Sequence, residues 1–166
     1  MSDDKLSNEE LLSTIEKNSK LSTVQISTML EKDVAIIEKT IKDLEKENII
    51  LGYTTIINWE KTNKESVTAF IEVKITPQRG EGFDRIAQRI SKFDEVKSVY
   101  LMSGAYDLAV IIEGRTLKEV SLFVTQKLAT LEFVLSTTTH FVLKKYKDNG
   151  ILFSEKEKDT REVITP

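Results

Sequence analysis

The chain of 166 residues contains no cysteine and a single histidine, His140. The missing thiols exclude disulfides, thiol catalysis and cysteine-ligated zinc. A lone histidine excludes the paired-histidine zinc motif H-E-x-x-H and argues against a Ser-His-Asp triad. Asp107, a conceivable catalytic acid, has no partner base nearby in the sequence. We therefore expect no enzyme, no catalytic residues and no metal site.

Glycine-rich phosphate loops and long apolar runs are also missing. The glycines in "RGEGFDR" do not complete G-x-G-x-x-G, and no G-x-x-x-x-G-K-[ST] loop occurs. No apolar run approaches the roughly 18 residues that cross a bilayer. The acidic start "MSDDKLSNEELL" lacks the basic and apolar regions of a signal peptide. We expect a cytoplasmic protein with no cofactor and no membrane partner.

An excess of positive charge is absent as well, since the formal net charge is -3. A simple electrostatic surface for nucleic acid would be basic. Acidic side chains outnumber basic ones within residues 1–60, so long-range attraction to DNA should be weak. Composition alone argues mildly against nucleic acid as a partner.

Residues 6–46 show the periodicity of three short helices. Ser7–Glu10 and Ser22–Gln25 match the capping box that starts a helix, and Asp33 supplies an N-cap oxygen for the third helix. In that helix, apolar residues recur at steps of three and four: Val34, Ile37, Ile41 and Leu44. This spacing places them on one inward face.

From Ser66 onward the period changes to that of strands and two further helices. "VTAFIEVKI", "VKSVYLM", "DLAVIIE" and "FVLSTTTHFVLKKY" are predicted strands, and helices are predicted after Pro77–Gly80 and after Gly114. The order is β-α-β-β-α-β, which is the ferredoxin-like arrangement of one antiparallel sheet with two helices on one face. Asn149–Gly150 can turn the chain into one more short strand.

The predicted sheet also bears on assembly. Leu108–Ile112 is apolar at five consecutive positions, and Val99–Met102 is nearly so. Two helices cover only one face of a single sheet, so the second face needs another cover. We expect a second copy of the chain to provide it; the alternative is a monomer with an apolar sheet edge.

Both halves of the chain, in this order, resemble one known family. "LSTVQISTML…VAIIEKTIKDLEKENIILGYTTIIN" follows the helix-turn-helix and linker of the Lrp/AsnC family of bacterial and archaeal transcription regulators. "YLMSGAYDLAVIIE" follows the family's signature hairpin, and "STTTHFVL" follows its final strand. The resemblance implies a first unit that binds double-stranded DNA. It also implies a second unit that forms a homo-oligomer (a dimer, extended to a tetramer or octamer) and senses a small molecule, commonly an amino acid.

The fold expected on these grounds is α+β. Its parts are a helix-turn-helix DNA-binding domain at 1–52, a linker strand and hinge at 53–65, an effector-binding and oligomerisation domain at 66–146, and a polar extension at 147–166.

The outward side of the third helix is the predicted DNA-binding surface. Its candidate residues are Lys32, Ala35, Lys39, Thr40, Lys42 and Lys46. Glu38 and Lys42, and likewise Lys39 and Asp43, stand four apart and can pair. Lysine suits phosphate contact better than bidentate base reading. The family usually has arginines along this helix and a glycine where Glu31 stands, and a merely solvated lysine face is the alternative.

The hairpin loop "SGAYD" is the predicted effector site, together with the last strand of a neighbouring subunit. The resemblance implies these candidate effector contacts: Ser103, Gly104, Ala105, Tyr106, Asp107, Thr137 and Thr139. Many family members have an acidic residue where Ala105 stands. Taken singly, these are also ordinary hairpin, interface and strand residues. We expect His140 to be an interface or surface histidine, with a pH-sensitive effector contact as the alternative.

The leading hypothesis is a DNA-binding transcriptional regulator whose DNA binding or assembly responds to a small metabolite, an amino acid by resemblance. The alternative is a metabolite-sensing oligomeric interaction protein that has lost sequence-specific DNA binding.

Overall fold

The computed structural model describes residues 7–76 and 82–153. The chain divides into two compact units, Met1–Ile56 and Ile57–Pro166, and this division lies inside the predicted linker. The predicted turn at Pro77–Gly80 and the end of the predicted extension, from Ser154, lie outside the described residues.

The first unit contains the three predicted helices. They are α1 (Asn8–Lys17), α2 (Thr23–Leu30) and α3 (Val34–Lys46). The capping box at Ser22 is present in both directions, and the Asp33 carboxylate accepts from the Ala35 N–H. The capping box predicted at Ser7 is wrong, because the Ser7 side chain makes no cap hydrogen bond. Ser7 is exposed, so water can satisfy its hydroxyl equally well.

One small apolar core holds the three helices together. It consists of Leu11, Ile15, Ile26, Ile37 and Leu44. Ile37 and Leu44 belong to the inward face predicted for α3, and Val34 and Ile41 are half-buried on the same face. Each fully buried aliphatic side chain contributes about 1.5–3 kcal/mol of transfer free energy. The position of α3 in this unit therefore depends on its apolar face.

The turn between α2 and α3 is fixed by Ser27 and Glu31. The Ser27 carbonyl accepts from the N–H groups of both Glu31 and Lys32, and the Ser27 hydroxyl donates to the Lys32 carbonyl. Glu31 ends α2 in the left-handed conformation, at φ 54° and ψ 40°. This conformation favours glycine, so the turn keeps its usual geometry despite the unusual residue.

The segment after α3 folds back onto that helix without forming a strand. Asn48 is left-handed at φ 57°, and the Tyr53 hydroxyl donates to Glu45 Oε1 at 2.9 Å. Burial raises the pKa of the Tyr53 phenol, and the Glu45 carboxylate raises it further. The predicted linker strand in residues 53–65 is wrong, since this range holds only a 3-10 turn at Trp59–Lys61. A strand needs a hydrogen-bonded neighbour, and the described residues offer none to this segment.

The second unit is the predicted ferredoxin-like fold. Its elements are β1 (Val67–Ile75), α4 (Asp84–Ile90), β2 (Val96–Leu101), β3 (Leu108–Gly114), α5 (Leu117–Phe123) and β4 (Val134–Phe141). The strands form one antiparallel sheet in the order β2-β3-β1-β4. A π-helical turn, Val124–Leu128, extends α5. Side chains of α4, α5 and this turn pack on alternate residues of β1 and β3, forming the larger core.

The last strand ends earlier than predicted. The sequence pattern extends to Tyr146, but β4 ends at Phe141, which pairs with Ala69 near the start of β1. After one more bond, from the Val142 N–H to the Thr68 carbonyl, β1 offers no further partner. The predicted turn at Asn149–Gly150 is confirmed: it joins β5 (Lys147–Asp148) to β6 (Ile151–Leu152).

The sheet face away from the helices is apolar in its middle and polar towards β4. Ala109 lies on this face yet is only 1% exposed, while Phe70, Tyr100 and Ile111 around it remain partly or well exposed. Glu72 and His140 lie on the same face, since strand residues alternate between faces. The run Leu108–Ile112 is thus apolar on both faces, as the sequence predicts.

Candidate functional sites

The outward side of α3 carries the predicted lysines. Ala35, Lys39, Lys42 and Lys46 are exposed, opposite the buried Ile37 and Leu44. Lys32 and Thr40 are half-buried, and the Thr40 hydroxyl donates to the Ile36 carbonyl at 2.8 Å. Four of the six candidates therefore share an accessible surface, and Thr40 lies at its border.

The ion pairs suggested by four-residue spacing are not formed. Across the described ranges, no ion pair joins Glu38 to Lys42 or Lys39 to Asp43. Glu38 instead accepts a hydrogen bond from the Thr23 hydroxyl of α2 at 3.2 Å. Exposed pairs of this kind gain only about 0.3–0.5 kcal/mol, so a competing hydroxyl donor can displace them. The ammonium groups of Lys39 and Lys42 are thus not paired with the carboxylates of Glu38 or Asp43.

The predicted sensor loop, Ser103–Asp107 (called the sensor loop below), is a tight hairpin between β2 and β3. The Met102 N–H donates to the Asp107 carbonyl at 2.8 Å and closes it. Ser103, Gly104 and Ala105 are exposed, and Gly104 adopts φ 154°, which L side chains rarely adopt. The space next to its missing Cβ is open, so Gly104 is required by conformation rather than by crowding.

Asp107 has a structural function within one chain. Its carboxylate Oδ2 accepts from the Ile75 N–H at 2.8 Å, and its own N–H donates to the Val73 carbonyl at 3.0 Å. The bond to Ile75 lies at the irregularity in the β1–β4 register. Asp107 thereby holds the end of β1 to the start of β3, a function that the sequence pattern did not indicate.

A single chain does not bring the two parts of the predicted effector site together. Thr137 and Thr139 of β4 pair with Val73 and Ile71 of β1, and the sensor loop lies beyond the other edge of β1. Both threonines are half-buried on the helix-covered side of the sheet, because their partners point into the core.

An aromatic row joins the loop to β4 across the open sheet face. The centroid of the Phe70 ring lies 6.1 Å from the centroid of the Tyr106 ring and 6.0 Å from that of the His140 ring. His140 Nε2 also lies 3.2 Å from Glu72 Oε1. His140 is thus a surface histidine with a carboxylate partner. Phe70 and Glu72 were missed from the sequence, although alternation along β1 could have assigned them to this face.

One cavity lies at the other end of the sheet from the sensor loop. It measures about 520 Å³ and is bounded by Lys64–Ser66, the ends of β2 and β3, and α5. Lys127 and Glu95 form an ion pair at its edge. The hydrogen bond from Lys127 is the main cause that lowers the pKa of the Glu95 carboxyl. None of the predicted effector residues lines this cavity.

Within residues 7–76 and 82–153, no three histidine, cysteine, aspartate or glutamate side chains are grouped so as to hold a metal ion. No helix there combines the length and the apolar character that crossing a membrane requires.

Comparison with known sequences supports the resemblance. The model of the Lrp/AsnC ligand-binding domain matches residues 68–152. The chain is 48% identical over 158 residues to the HTH-type transcriptional regulator YugG of Bacillus subtilis. The aligned residues cover 95% of each protein. It is 23% identical over 142 residues to the proline dehydrogenase transcriptional activator of Rhizobium radiobacter, covering 86% of this chain and 90% of that one.

Comparison with solved structures gives the same fold. A Neisseria meningitidis transcriptional regulator in complex with L-Met matches with a TM-score of 0.69 at 24% identity, covering 87% of this chain and 94% of that one. The feast or famine regulatory protein of M. tuberculosis, complexed with L-methionine, matches with a TM-score of 0.69 at 18% identity over 85% and 92%. These identities support the fold alone. The ligand-binding-domain model and the 48% identical relative show that the chain belongs to the Lrp/AsnC family of helix-turn-helix transcriptional regulators.

Proposed function

We propose that this regulator binds double-stranded DNA through the outward face of α3 and that an amino acid modulates its binding or assembly. The observation that carries the proposal is the row of exposed lysines, Lys39, Lys42 and Lys46, opposite the buried Ile37 and Leu44. In a helix-turn-helix unit, the second helix of the motif enters the major groove. In this orientation the lysine charges face the DNA.

The chemistry of the lysines favours contacts with phosphates. An ammonium group is a compact, strongly hydrated charge, whereas bidentate recognition of guanine suits arginine. Each phosphate that a lysine neutralises releases counterions, so binding weakens as salt rises. Because acidic side chains outnumber basic ones within residues 1–60, a single helix-turn-helix unit should bind DNA weakly. An oligomer that presents several such units gains affinity through its high effective concentration.

The test of the DNA contact is the double variant Lys39→Ala and Lys42→Ala. Its affinity for specific and nonspecific duplexes should fall together, and the slope of log affinity against log salt should decrease by roughly one per lost phosphate contact. The control, Lys17→Ala with Lys20→Ala, removes the same charge outside α3 and should preserve most of that slope. Undiminished binding by a folded Lys39 and Lys42 variant would favour the alternative function, a metabolite-sensing interaction protein.

The effector site is proposed at the sensor loop of one chain and β4 of another. The exposed backbone of Ser103–Ala105 can approach a ligand closely, and amide N–H groups suit the carboxylate of an amino acid. Thr137 and Thr139 add hydroxyl groups. Because β1 separates them from the loop within one chain, a site with both parts requires a neighbouring copy. The two relatives complexed with L-methionine make amino acids the first compounds to test.

Calorimetry against an amino-acid panel tests this site. Thr137→Val should weaken the response, whereas Thr138→Val, on the opposite face of the same strand, should leave it unchanged. Gly104→Val should abolish the response, because valine cannot readily adopt φ 154° and the loop backbone must shift. Equal responses from all three variants would place the effector site elsewhere.

Oligomerisation is proposed to cover the open sheet face around Ala109. Ile111→Glu would put a charge next to this apolar patch and should dissociate the assembly, as light scattering of the full chain can measure. Leu117→Glu makes the same charge change at an exposed apolar position of α5, away from this face, and is the matched control. A parent that is monomeric at micromolar concentration would refute the assembly.

A further inference from the structure

Glu38 is the one acidic side chain in the α3 segment from Ala35 to Lys42. It is exposed and lies one helical turn after Ala35 and one turn before Lys42. The three side chains therefore form one strip on the surface of α3. The Thr23 hydroxyl, at the first residue of α2, donates to Glu38 Oε1 at 3.2 Å. This hydrogen bond holds the carboxylate on the side of α3 that faces the start of α2.

No neighbouring lysine neutralises this carboxylate. Within the part of the chain that the structure describes, Glu38 forms no ion pair with Lys39 or Lys42. A carboxylate without an ion-pair partner is repelled by the phosphates when it is brought against a duplex, and loss of its remaining hydration is costly. A compensating donor on the DNA is therefore required wherever this part of α3 meets the groove.

The major groove offers one base edge that suits a carboxylate well. Cytosine presents its N4 amino group as a donor, whereas guanine presents two acceptors and thymine presents an acceptor and a methyl group. Adenine has an amino donor, but its N7 acceptor lies beside it and suits an amide side chain better. A carboxylate only accepts hydrogen bonds, so cytosine is its natural partner.

We propose that Glu38 is a specificity-determining residue that accepts a hydrogen bond from a cytosine amino group and is positioned for it by the Thr23 hydroxyl. This assignment rests on the proposed DNA binding by α3 and adds to it the base that the helix selects. The lysines supply affinity for any duplex. Glu38 restricts that affinity to sites with cytosine at one position of each half-site.

Selection from a randomised duplex library tests the assignment with the full-length protein. The parent should enrich a motif with one C·G pair that Glu38→Gln no longer selects. Glutamine keeps the shape and still accepts from Thr23, but it pairs best with adenine, so the preference should move to A·T or disappear. The control Glu47→Gln makes the same charge change at the exposed end of α3 and should enrich the parental motif.

Affinity measurements on the enriched duplex give the expected size of the effect. Exchange of that C·G pair for T·A should weaken binding by the parent roughly tenfold, within the usual cost of one mismatched pair. The same base-pair exchange should change the affinity of the Glu38→Gln variant by less than about twofold. Thr23→Val, which removes only the positioning hydroxyl, should reduce the discrimination of the parent while preserving the fold of α2.

The possible failures are distinguishable. A parent that enriches no motif and binds no duplex at low salt refutes DNA binding by this protein, and the Glu38 assignment with it. A parent that enriches a motif which Glu38→Gln also enriches refutes the Glu38 assignment alone. An equal gain in affinity of Glu38→Gln and Glu47→Gln for every duplex, without a change in preference, would also refute it, because charge alone would then explain the effect.

Discussion

Replacing Glu31 by glycine should stabilise the three-helix unit. Glu31 occupies the left-handed region at φ 54° and ψ 40°, in the turn between α2 and α3. A side chain with a Cβ costs about 1–2 kcal/mol in this conformation. Glycine removes that strain but loses about 0.5–1 kcal/mol through the greater freedom of the unfolded chain. Glu31 also places negative charge at the C-terminal end of α2, which the helix dipole disfavours by about 0.3–1 kcal/mol.

The net gain for Glu31→Gly should be about 1 kcal/mol in the free energy of unfolding of this unit. For a unit of this size, such a gain raises Tm by about 4–8 °C. Hydrogen exchange of the α2 and α3 amides in the full-length protein measures the gain locally. Thermal unfolding followed by circular dichroism provides an independent value.

Glu31→Ala separates the two contributions, because alanine removes the charge and keeps the Cβ. Glu31→Ala should raise the free energy of unfolding by at most the charge contribution, about a few tenths of a kcal/mol. If Glu31→Gly were no more stable than Glu31→Ala, strain at this position would not matter. If Glu31→Gly were less stable than the parent, the reasoning about the turn would be refuted.

Three other variants have defined outcomes. Ile37→Ala removes a side chain that is fully buried and should cost the helical unit about 2–5 kcal/mol; exchange protection should be lost there and retained in the sheet. Asp107→Ala leaves a backbone donor without its 2.8 Å partner and should cost about 1–3 kcal/mol in urea unfolding, whereas exposed Ser103→Ala should cost almost nothing. Lys127→Met removes the hydrogen bond that lowers the Glu95 pKa. A lowered carboxyl pKa stabilises the protein above its ordinary pKa, and this contribution is lost as the pH falls through the lowered value. The stability gap between parent and Lys127→Met should therefore be present near neutral pH and close in acid; a pH-independent gap would contradict this origin.

Periodicity was sufficient to predict most of the fold. The spacing of Val34, Ile37, Ile41 and Leu44 predicted the inward face of α3, and the same spacing predicted its lysine face. The change from helical to alternating periods predicted the order of strands and helices. These are local properties, because a helix or a strand repeats its own geometry from residue to residue.

Apart from the missing cap at Ser7, which is local, the errors and omissions arise from contacts between distant residues. Thr23 and Glu38 are 15 positions apart, so helical spacing favoured Lys42 as the partner of Glu38. Asp107 and Ile75 are 32 positions apart, and nothing local indicates their bond. The segment near Thr54 has strand-forming residues, but the described chain gives it no strand to pair with. Strand propensity depends on such a neighbour.

In the hairpin Ser103–Asp107, the residues that maintain its shape are separate from those that face solvent. Asp107 uses its N–H, its carbonyl and its carboxylate to join β1, β2 and β3. Ser103 and Ala105 are exposed, and among the described residues neither makes a hydrogen bond that joins these strands. Substitutions at these two positions can therefore accumulate at little cost to folding. The side chains at the tip of the hairpin can therefore change one residue at a time on a scaffold that remains intact.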